Sequence, residues 1–101
     1  MIAVIIPAHN EARRLGRCLR AVEVAVREAE QAGHEVRTLV VLDRCTDSSA
    51  AIARRHGVET LEVEAGNVGQ ARRAGATWML EQGARWLACI NAGSHHLDGQ
   101  A

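Results

Sequence analysis

Short apolar runs alternate with longer amphipathic segments along this chain, and the pattern predicts parallel βαβ units. The first run is apolar without a break, as in a strand that is covered on both faces. Four strands are predicted, at residues 2–6, 36–42, 59–64 and 86–90. Three helices are predicted, at about residues 11–31, 48–56 and 69–82. The fold class is therefore α/β, a parallel, doubly wound, Rossmann-like sheet of about four strands with flanking helices.

Polar residues and glycines mark where the first two predicted helices begin and end. Asn10 is a candidate N-cap residue, and Glu11 suits the positive start of the first helix. Gly33 provides a stop signal for that helix. Asp47 is expected to cap the second helix, which Gly57 ends.

The pattern also sets the domain boundaries and the edges of the sheet. The third strand alternates polar and apolar residues, so we place it at a sheet edge. After residue 90 the periodicity stops, and the remaining residues are polar and aperiodic. A chain of 101 residues has the size of one domain. We therefore interpret residues 1–90 as one α/β domain and residues 91–101 as an irregular C-terminal tail.

Composition excludes several classes of function. The net charge is zero, and Trp78 and Trp86 are the only aromatic residues besides histidine, which argues against nucleic-acid binding. All twelve cationic residues are arginines, so Schiff-base lysines and a P-loop lysine are excluded. No apolar run approaches the ~20 residues that span a bilayer, so no membrane insertion is expected. Three widely spaced cysteines and no basic leader fit reduced thiols in a cytoplasmic protein.

Polar residues follow the predicted strands at the points where the strands end. Because such ends meet at one rim of a parallel sheet, we expect these residues to converge on one crevice. Residues 7–11 follow the first strand. Their sequence is typical either of a ligand-facing rim or of an ordinary capped helix start. Asp43 ends the second strand, where it can accept hydrogen bonds from a ligand or form an Asx-turn. Arg72 follows a glycine-containing helix start, which suits an anion.

Three of these segments, in their order and spacing, closely resemble family 2 glycosyltransferases of the GT-A fold. They are Val4-Ile5-Ile6-Pro7-Ala8-His9-Asn10-Glu11, then Val40-Val41-Leu42-Asp43 with Thr46-Asp47-Ser48, then Asn67-Val68-Gly69-Gln70-Ala71-Arg72. The resemblance runs in register from residue 1 to about residue 89. It implies the N-terminal, nucleotide-sugar-binding half of that fold, with the strands in spatial order 3-2-1-4. It also implies weak binding of uridine or guanosine diphosphate by Pro7, His9, Asn10, Glu11, Asp43, Asn67 and Arg72.

The chain departs from the family pattern where the resemblance implies a metal site. An Asp-x-Asp motif, which binds Mg²⁺ or Mn²⁺ in the family, should fall at Asn91-Ala92-Gly93, where neither flanking residue is anionic. We therefore predict no metal cofactor for this chain. His95, His96 and Asp98 follow closely, either as a replacement metal site or as part of a polar tail. The residues that supply the acceptor site and catalytic base in the family have no counterpart here, so transfer by the isolated chain is expected to be impaired.

Two other interpretations were considered. A Rossmann dinucleotide enzyme needs a glycine-rich first turn, but no glycine precedes Gly16. A non-catalytic nucleotide-binding or subunit-interaction module fits the missing carboxylates and the short chain. The fourth strand is then expected to be an exposed edge, where a second copy of the chain can pair to form a homo-oligomer.

Overall fold

The computed structural model of the chain describes residues 1–92. Strands and helices alternate along the chain in the order β1 (Ile2–Ala8), α1 (Ala12–Gln31), β2 (Val36–Asp43), α2 (Ser49–Arg55), β3 (Glu59–Val63), α3 (Val68–Glu81) and β4 (Trp86–Cys89). The four strands form one sheet in the order β3-β2-β1-β4, and every neighbouring pair is parallel. The predicted fold class and strand order are confirmed. The division into residues 1–90 and 91–101 stays a prediction, since only the first two residues of that tail are described.

Both faces of the two central strands are covered, which explains the unbroken apolar sequence of β1 and the apolar run at residues 39–42 of β2. Val4, Ile6 and Ala8 of β1 lie on the face covered by α1 and α2. Ala3 and Ile5 of the same strand lie on the face covered by α3. β2 divides its residues between the two faces in the same alternating way. The sheet therefore separates two apolar cores, and the site must lie at a rim, not within either core.

β1 extends two residues further than the sequence predicts. Pro7 pairs with Val41 and Ala8 with Leu42, so both lie inside the strand and not in the following loop. Proline is tolerated here because of the hydrogen-bond pattern. The backbone oxygen of Ile5 accepts from the N–H of Ile90, so the backbone groups of Ile5 face β4. Alternate residues of a strand face the same neighbour, so the backbone of Pro7 also faces β4, but the paired residues of β1 and β4 end at Ile5 and Cys89. The N–H that proline lacks would have found no strand partner.

The helix ends match the glycine signals, but the expected N-cap of α1 does not form. Gly33 and Gly57 have φ values of +95° and +72°, which L side chains rarely adopt, and each follows the end of a helix. Glu11, and not Asn10, occupies the N-cap position of α1, and its side chain makes no capping hydrogen bond. No helix within residues 1–92 is both long enough and apolar enough to cross a membrane.

The two edges of the sheet differ in charge and cover. β3 lies at one edge, as predicted, and includes Glu59 and Glu62. β4 lies at the other edge, contains no charged residue, and is exposed along its whole length. Trp86 is 71% exposed. Natural edge strands usually carry charges or bulges that block pairing, and β4 has no charge to do so. Pairing of this edge with a second copy stays a prediction.

Candidate functional site

A crevice of about 210 Å³ opens at the carboxyl ends of β1 and β2. It brings together five of the seven residues that the sequence proposes as a site, namely Pro7, His9, Glu11, Asp43 and Asn67. Its other lining residues are Ala8, Arg44, Gly66, Val68, Ala71 and Asn91. Sites for whole drug-sized ligands measure about 300–1,000 Å³. This crevice therefore suits part of such a ligand, with the remainder lying outside.

Asp43 is the buried acid of the crevice, and its carboxylate holds the loop between β3 and α3. Only 4% of the residue is exposed. Oδ1 accepts hydrogen bonds from the backbone N–H groups of Ala65 at 2.9 Å and Gly66 at 3.2 Å, and Oδ2 accepts from Gly66 at 3.1 Å. These partners lie 22 and 23 residues away, so the Asx-turn considered from sequence does not form. Asp43 thus fixes one wall of the crevice.

Arg44 is the cation that lines the crevice, and sequence reasoning missed it. Its φ of 52° is a left-handed conformation that arginine rarely adopts. Its Nε lies 3.8 Å from Oδ1 of Asp43, and 54% of the side chain is exposed. The available signal was its position directly after Asp43, at the end of a central strand.

Arg72, the cation proposed from sequence, is exposed on α3 and does not line the crevice. Its charge acts on Cys89, at the end of β4. Burial raises the pKa of the Cys89 thiol, and the positive charge of Arg72 offsets part of that rise. The structure thus brings Arg72 toward the sheet edge, while Arg44 occupies the crevice.

His9 presents one defined nitrogen to a ligand. Its Nδ1 lies 2.7 Å from the backbone oxygen of Asp43. Because a carbonyl oxygen only accepts, the neutral ring must carry its proton on Nδ1 and donate it there. Nε2 then remains as a hydrogen-bond acceptor for a ligand N–H or hydroxyl group. This assignment follows from the partner of Nδ1.

Asn10 lies between two crevice residues but does not line the crevice. Its Oδ1 accepts hydrogen bonds from the backbone N–H groups of Thr46 at 2.7 Å and Asp47 at 3.2 Å. Its own φ is 51°, a left-handed conformation that asparagine adopts more readily than most residues. The side chain proposed as a ligand contact is therefore directed to the loop between β2 and α2.

Two residues where the β2–α2 loop meets α2, Asp47 and Ser49, cap the starts of α1 and α2. Asp47 Oδ2 accepts from the N–H of Ala12 at 3.1 Å, and its Oδ1 accepts from the N–H of Ser49 at 2.9 Å. The Ser49 hydroxyl accepts from the N–H of Glu11 at 3.1 Å. The predicted role of Asp47 at α2 thus extends to α1, where one carboxylate serves both helix starts.

These contacts change the pKa of Asp47. Burial raises it, but hydrogen bonds from the Ser49 side chain and from the backbone N–H groups of Ser49 and Ala12 outweigh burial, and the net pKa is lowered. A lowered pKa in the folded state means that ionised Asp47 stabilises the fold above the ordinary carboxyl pKa. This stabilisation is lost as the pH falls through the lowered value.

Asn67 and the first turn of α3 form a further wall. Asn67 is the N-cap residue, and its Oδ1 accepts from the N–H of Gln70 at 2.7 Å. Within residues 1–92, the backbone N–H groups of Val68 and Gly69 make no hydrogen bond. Free N–H groups at a helix start carry partial positive charge that attracts anions. The helix start and the guanidinium of Arg44 thus bring positive charge to the crevice, which the carboxylates of Glu11 and Asp43 also line.

The described residues do not form a metal site. No group of three His, Cys, Asp or Glu residues among residues 1–92 can hold a metal ion. Asn91 lines the crevice, and its amide is neutral. Gly93, His95, His96 and Asp98 lie outside the described residues. The residues that line the crevice can recognise a ligand through hydrogen bonds and through the charged side chains of Glu11, Asp43 and Arg44.

A larger groove of about 700 Å³ lies between α1 and residues 90–92. Arginines and small apolar side chains line it, and it contains neither His9 nor Asp43. The smaller crevice is the stronger candidate, because polar groups from three strand ends converge there.

The family model described as glycosyl transferase family 2 matches residues 3–98 of this chain. No curated protein sequence matches the chain significantly. The fold resembles three solved structures at 17–21% identity. One is S. aureus TarS in complex with UDP, at 21% identity, with a TM-score of 0.66 over 90% of this chain.

The other two are sugar-phosphoglycerate synthases. Glucosyl-3-phosphoglycerate synthase from Mycobacterium tuberculosis, in complex with Mn²⁺, UDP and glucosyl-3-phosphoglycerate, is 17% identical, with a TM-score of 0.64 over 91% of this chain. Mannosyl-3-phosphoglycerate synthase from Rubrobacter xylanophilus is 20% identical, with a TM-score of 0.69 over 96%. The chain covers 27% of the TarS chain, 33% of the glucosyl enzyme and 32% of the mannosyl enzyme. It therefore spans a third or less of their length.

Proposed function

We propose that this chain, which belongs to glycosyl transferase family 2, binds the nucleoside-diphosphate part of an activated sugar in the crevice formed by the ends of β1 and β2 and the start of α3. The observation that carries the proposal is that one crevice offers both anion-binding groups, at Arg44 and the start of α3, and hydrogen-bonding groups, at His9 and Asp43. A nucleoside diphosphate has the same division between its anionic diphosphate and its base and ribose. We propose that this binding serves transfer of the sugar to an acceptor.

The start of α3 and the side chain of Arg44 are suited to the diphosphate. The free N–H groups of Val68 and Gly69 lie at the start of α3, which has 14 residues and so a developed helix dipole. Arg44 adds a guanidinium with donors suited to phosphate oxygens. Arg72, which the sequence proposes for an anion, does not line the crevice.

Other groups that line the same crevice are suited to a base and a ribose. His9 offers Nε2 as an acceptor, and Asp43 retains acceptor capacity beyond its bonds to the β3–α3 loop. Pro7 and Ala71 provide apolar surface. Both TarS and glucosyl-3-phosphoglycerate synthase were solved with UDP, which makes UDP the first ligand to test. The volume of about 210 Å³ leaves the diphosphate and sugar partly outside.

Substitution of Val68 tests the placement of the diphosphate. Val68 lines the crevice at the start of α3, and it is 44% exposed, so a polar side chain is tolerated. We expect Val68→Glu to abolish UDP binding, because its carboxylate repels the diphosphate, while acidic residues at a helix start preserve helix stability. Isothermal titration calorimetry with UDP at millimolar concentration measures the loss.

Val24→Glu is the matched control. Val24 is 51% exposed on α1 and does not line the crevice, and the substitution adds the same charge. UDP binding is expected to match the wild type. Equal weakening by both substitutions would remove the proposed diphosphate position. No heat from the wild type with UDP or guanosine diphosphate would reject the function itself.

A divalent cation is expected to have little effect on this chain. A metal would help to neutralise the diphosphate, but the described residues do not fit one, since Asn91 offers a neutral amide and Asp43 holds a loop. We therefore expect Mn²⁺ or Mg²⁺ to tighten UDP binding by less than about twofold, and the purified chain not to transfer sugar at a useful rate. Calorimetry with and without metal, followed by an assay of UDP release from UDP-sugars, checks both. Metal-dependent turnover would contradict this expectation.

A non-catalytic nucleotide-binding or subunit-interaction module is the second candidate function. The neutral Asn91 and the uncovered edge of β4 favour it. It shares UDP binding with the first candidate but predicts no transfer in any longer form of the protein. Turnover by a longer form therefore separates the two candidates.

A further inference from the structure

We infer that Asn10 is a positioning residue for the proposed nucleotide site, which it shapes without contacting the ligand. The inference rests on the proposed function. It assigns Asn10 to a loop junction, defined here as the hydrogen bonds that join residues 9–12 to residues 45–49. The first loop here is the one between β1 and α1, and the second loop is the one between β2 and α2. Asn10 lies between two crevice residues of the first loop, His9 and Glu11, and its carboxamide is bound to the second loop.

The contacts of Asn10 involve its side chain and its backbone. Its Oδ1 accepts from the N–H groups of Thr46 and Asp47, at 2.7 and 3.2 Å. Its own N–H donates to Sγ of Cys45 at 3.5 Å, and that thiol donates to the backbone oxygen of Ala8 at 3.4 Å. Its left-handed backbone lets the chain turn between β1 and α1. Three consecutive residues of the second loop are thus joined to one residue of the first.

The second loop bonds back to the first. The N–H of Glu11 donates to the Ser49 hydroxyl, and the N–H of Ala12 donates to Asp47 Oδ2. Ser49 is fully buried, which fixes the position of that hydroxyl. The junction therefore includes backbone groups on both sides of the turn at Asn10. Among the described residues, Asn10 is the only residue of the first loop whose side chain takes part in the junction.

This arrangement determines where the crevice side chains lie. His9 and Glu11 reach the crevice from either side of Asn10, so the backbone of Asn10 sets the direction of both. His9 holds its Nδ1 bond to the Asp43 oxygen only while the first loop remains beside β2. A ligand binds less tightly to a site whose side chains must first be ordered. Loss of the Asn10 acceptor should therefore weaken UDP binding without removing any ligand contact.

Two substitutions at this position separate the acceptor from the backbone. Asn10→Gly keeps the left-handed conformation and removes the acceptor, whereas Asn10→Asp keeps an acceptor oxygen. We expect Asn10→Gly to raise the Kd for UDP about tenfold and Asn10→Asp to stay within about threefold of the wild type. Calorimetry at one fixed pH and salt concentration measures both.

A control excludes an effect of stability alone. Val22→Ala removes apolar volume from α1, on the core face and away from both loops. It is expected to lower the urea midpoint at least as much as Asn10→Gly, while the Kd for UDP stays unchanged. If Asn10→Gly leaves the Kd unchanged, or if Val22→Ala raises it equally, the positioning role is overturned.

A measurement without nucleotide keeps this inference separate from the proposed function. Nitrogen-15 NMR of the His9 ring reports which nitrogen carries the proton. The wild type is expected to show the Nδ1–H form in the neutral ring, Asn10→Gly to lose that preference, and Asn10→Asp to retain it. If the wild type binds no UDP, the proposed function fails, and this spectrum still decides the role of Asn10. An unchanged His9 spectrum in Asn10→Gly overturns the inference.

Discussion

Gly75→Ala is expected to lower the free energy of unfolding by about 2 kcal/mol, even though alanine is the better helix former. Gly75 lies on the buried side of α3, against the two central strands. A Cβ atom at this position would meet Val41 Cγ2 at 2.6 Å and Ile5 Cγ2 at 2.8 Å. Both neighbours are fully buried, so α3 must move away from the sheet to admit the methyl group. Urea unfolding followed by circular dichroism measures the loss.

Gly16→Ala is the matched control for this effect. Gly16 lies within α1, and its Cβ would make ordinary contacts of 3.6 Å with Arg20 and 4.0 Å with Ile52. The same substitution should therefore stabilise the protein by up to about 1 kcal/mol through helix propensity. A natural domain has only about 5–15 kcal/mol of stability, so a difference of about 3 kcal/mol between the variants is readily measured. Equal stability of the two variants would show that α3 does not pack closely at Gly75.

Asp43→Ala is expected to have the second large effect, on both stability and UDP binding. The substitution leaves the N–H groups of Ala65 and Gly66 without their acceptor. Loss of hydrogen bonds to a buried charged group costs about 1.5–3 kcal/mol. The released loop also carries Asn67 and Val68, which line the crevice. UDP should therefore give no measurable heat with this variant.

Asp43→Asn distinguishes the two effects of that substitution. The asparagine oxygen can replace Oδ1 as acceptor for Ala65 and Gly66, so most of the stability should return. Its amide lacks the second carboxylate oxygen and the negative charge. Any loss of UDP affinity that remains in this variant therefore reports on the carboxylate itself. Full stability in Asp43→Ala would contradict the anchoring role, since it would mean that water satisfies the loop amides.

The architecture could be predicted because it depends on patterns that are local in sequence. The unbroken apolar run of the first strand predicted that β1 is covered on both faces, and the alternation of polar and apolar residues in the third strand predicted that β3 lies at an edge. Glycines at positions 33 and 57 predicted the ends of two helices, because their left-handed backbone is unfavourable for other residues. Parallel strands then require their carboxyl ends to share a rim. That requirement predicted that the proposed site residues converge, and five of the seven line one crevice.

The roles of single side chains at that rim could not be predicted in the same way. Asn10 reads as a local N-cap, but its hydrogen-bond partner Thr46 is 36 residues away. Arg72 follows a glycine-containing helix start, which suggests an anion site. In the folded protein its side chain is exposed on α3 and does not line the crevice. Arg44 has no motif, and it lines the crevice because of its left-handed turn after β2.

The sequence by itself therefore determined the family, the parallel α/β fold, the order of elements and the rim where a ligand is expected. These follow from periodicity, short motifs and the geometry of parallel strands. Only the tertiary structure decided that Asp43 and Asn10 hold loops, that Arg44 supplies the crevice cation, and that Gly75 allows α3 to approach the sheet. The roles of Asp43, Asn10 and Gly75 depend on partners 22 to 70 residues away in the chain. A hydrogen bond or close contact of that kind is fixed by how the elements pack, and local sequence does not specify it.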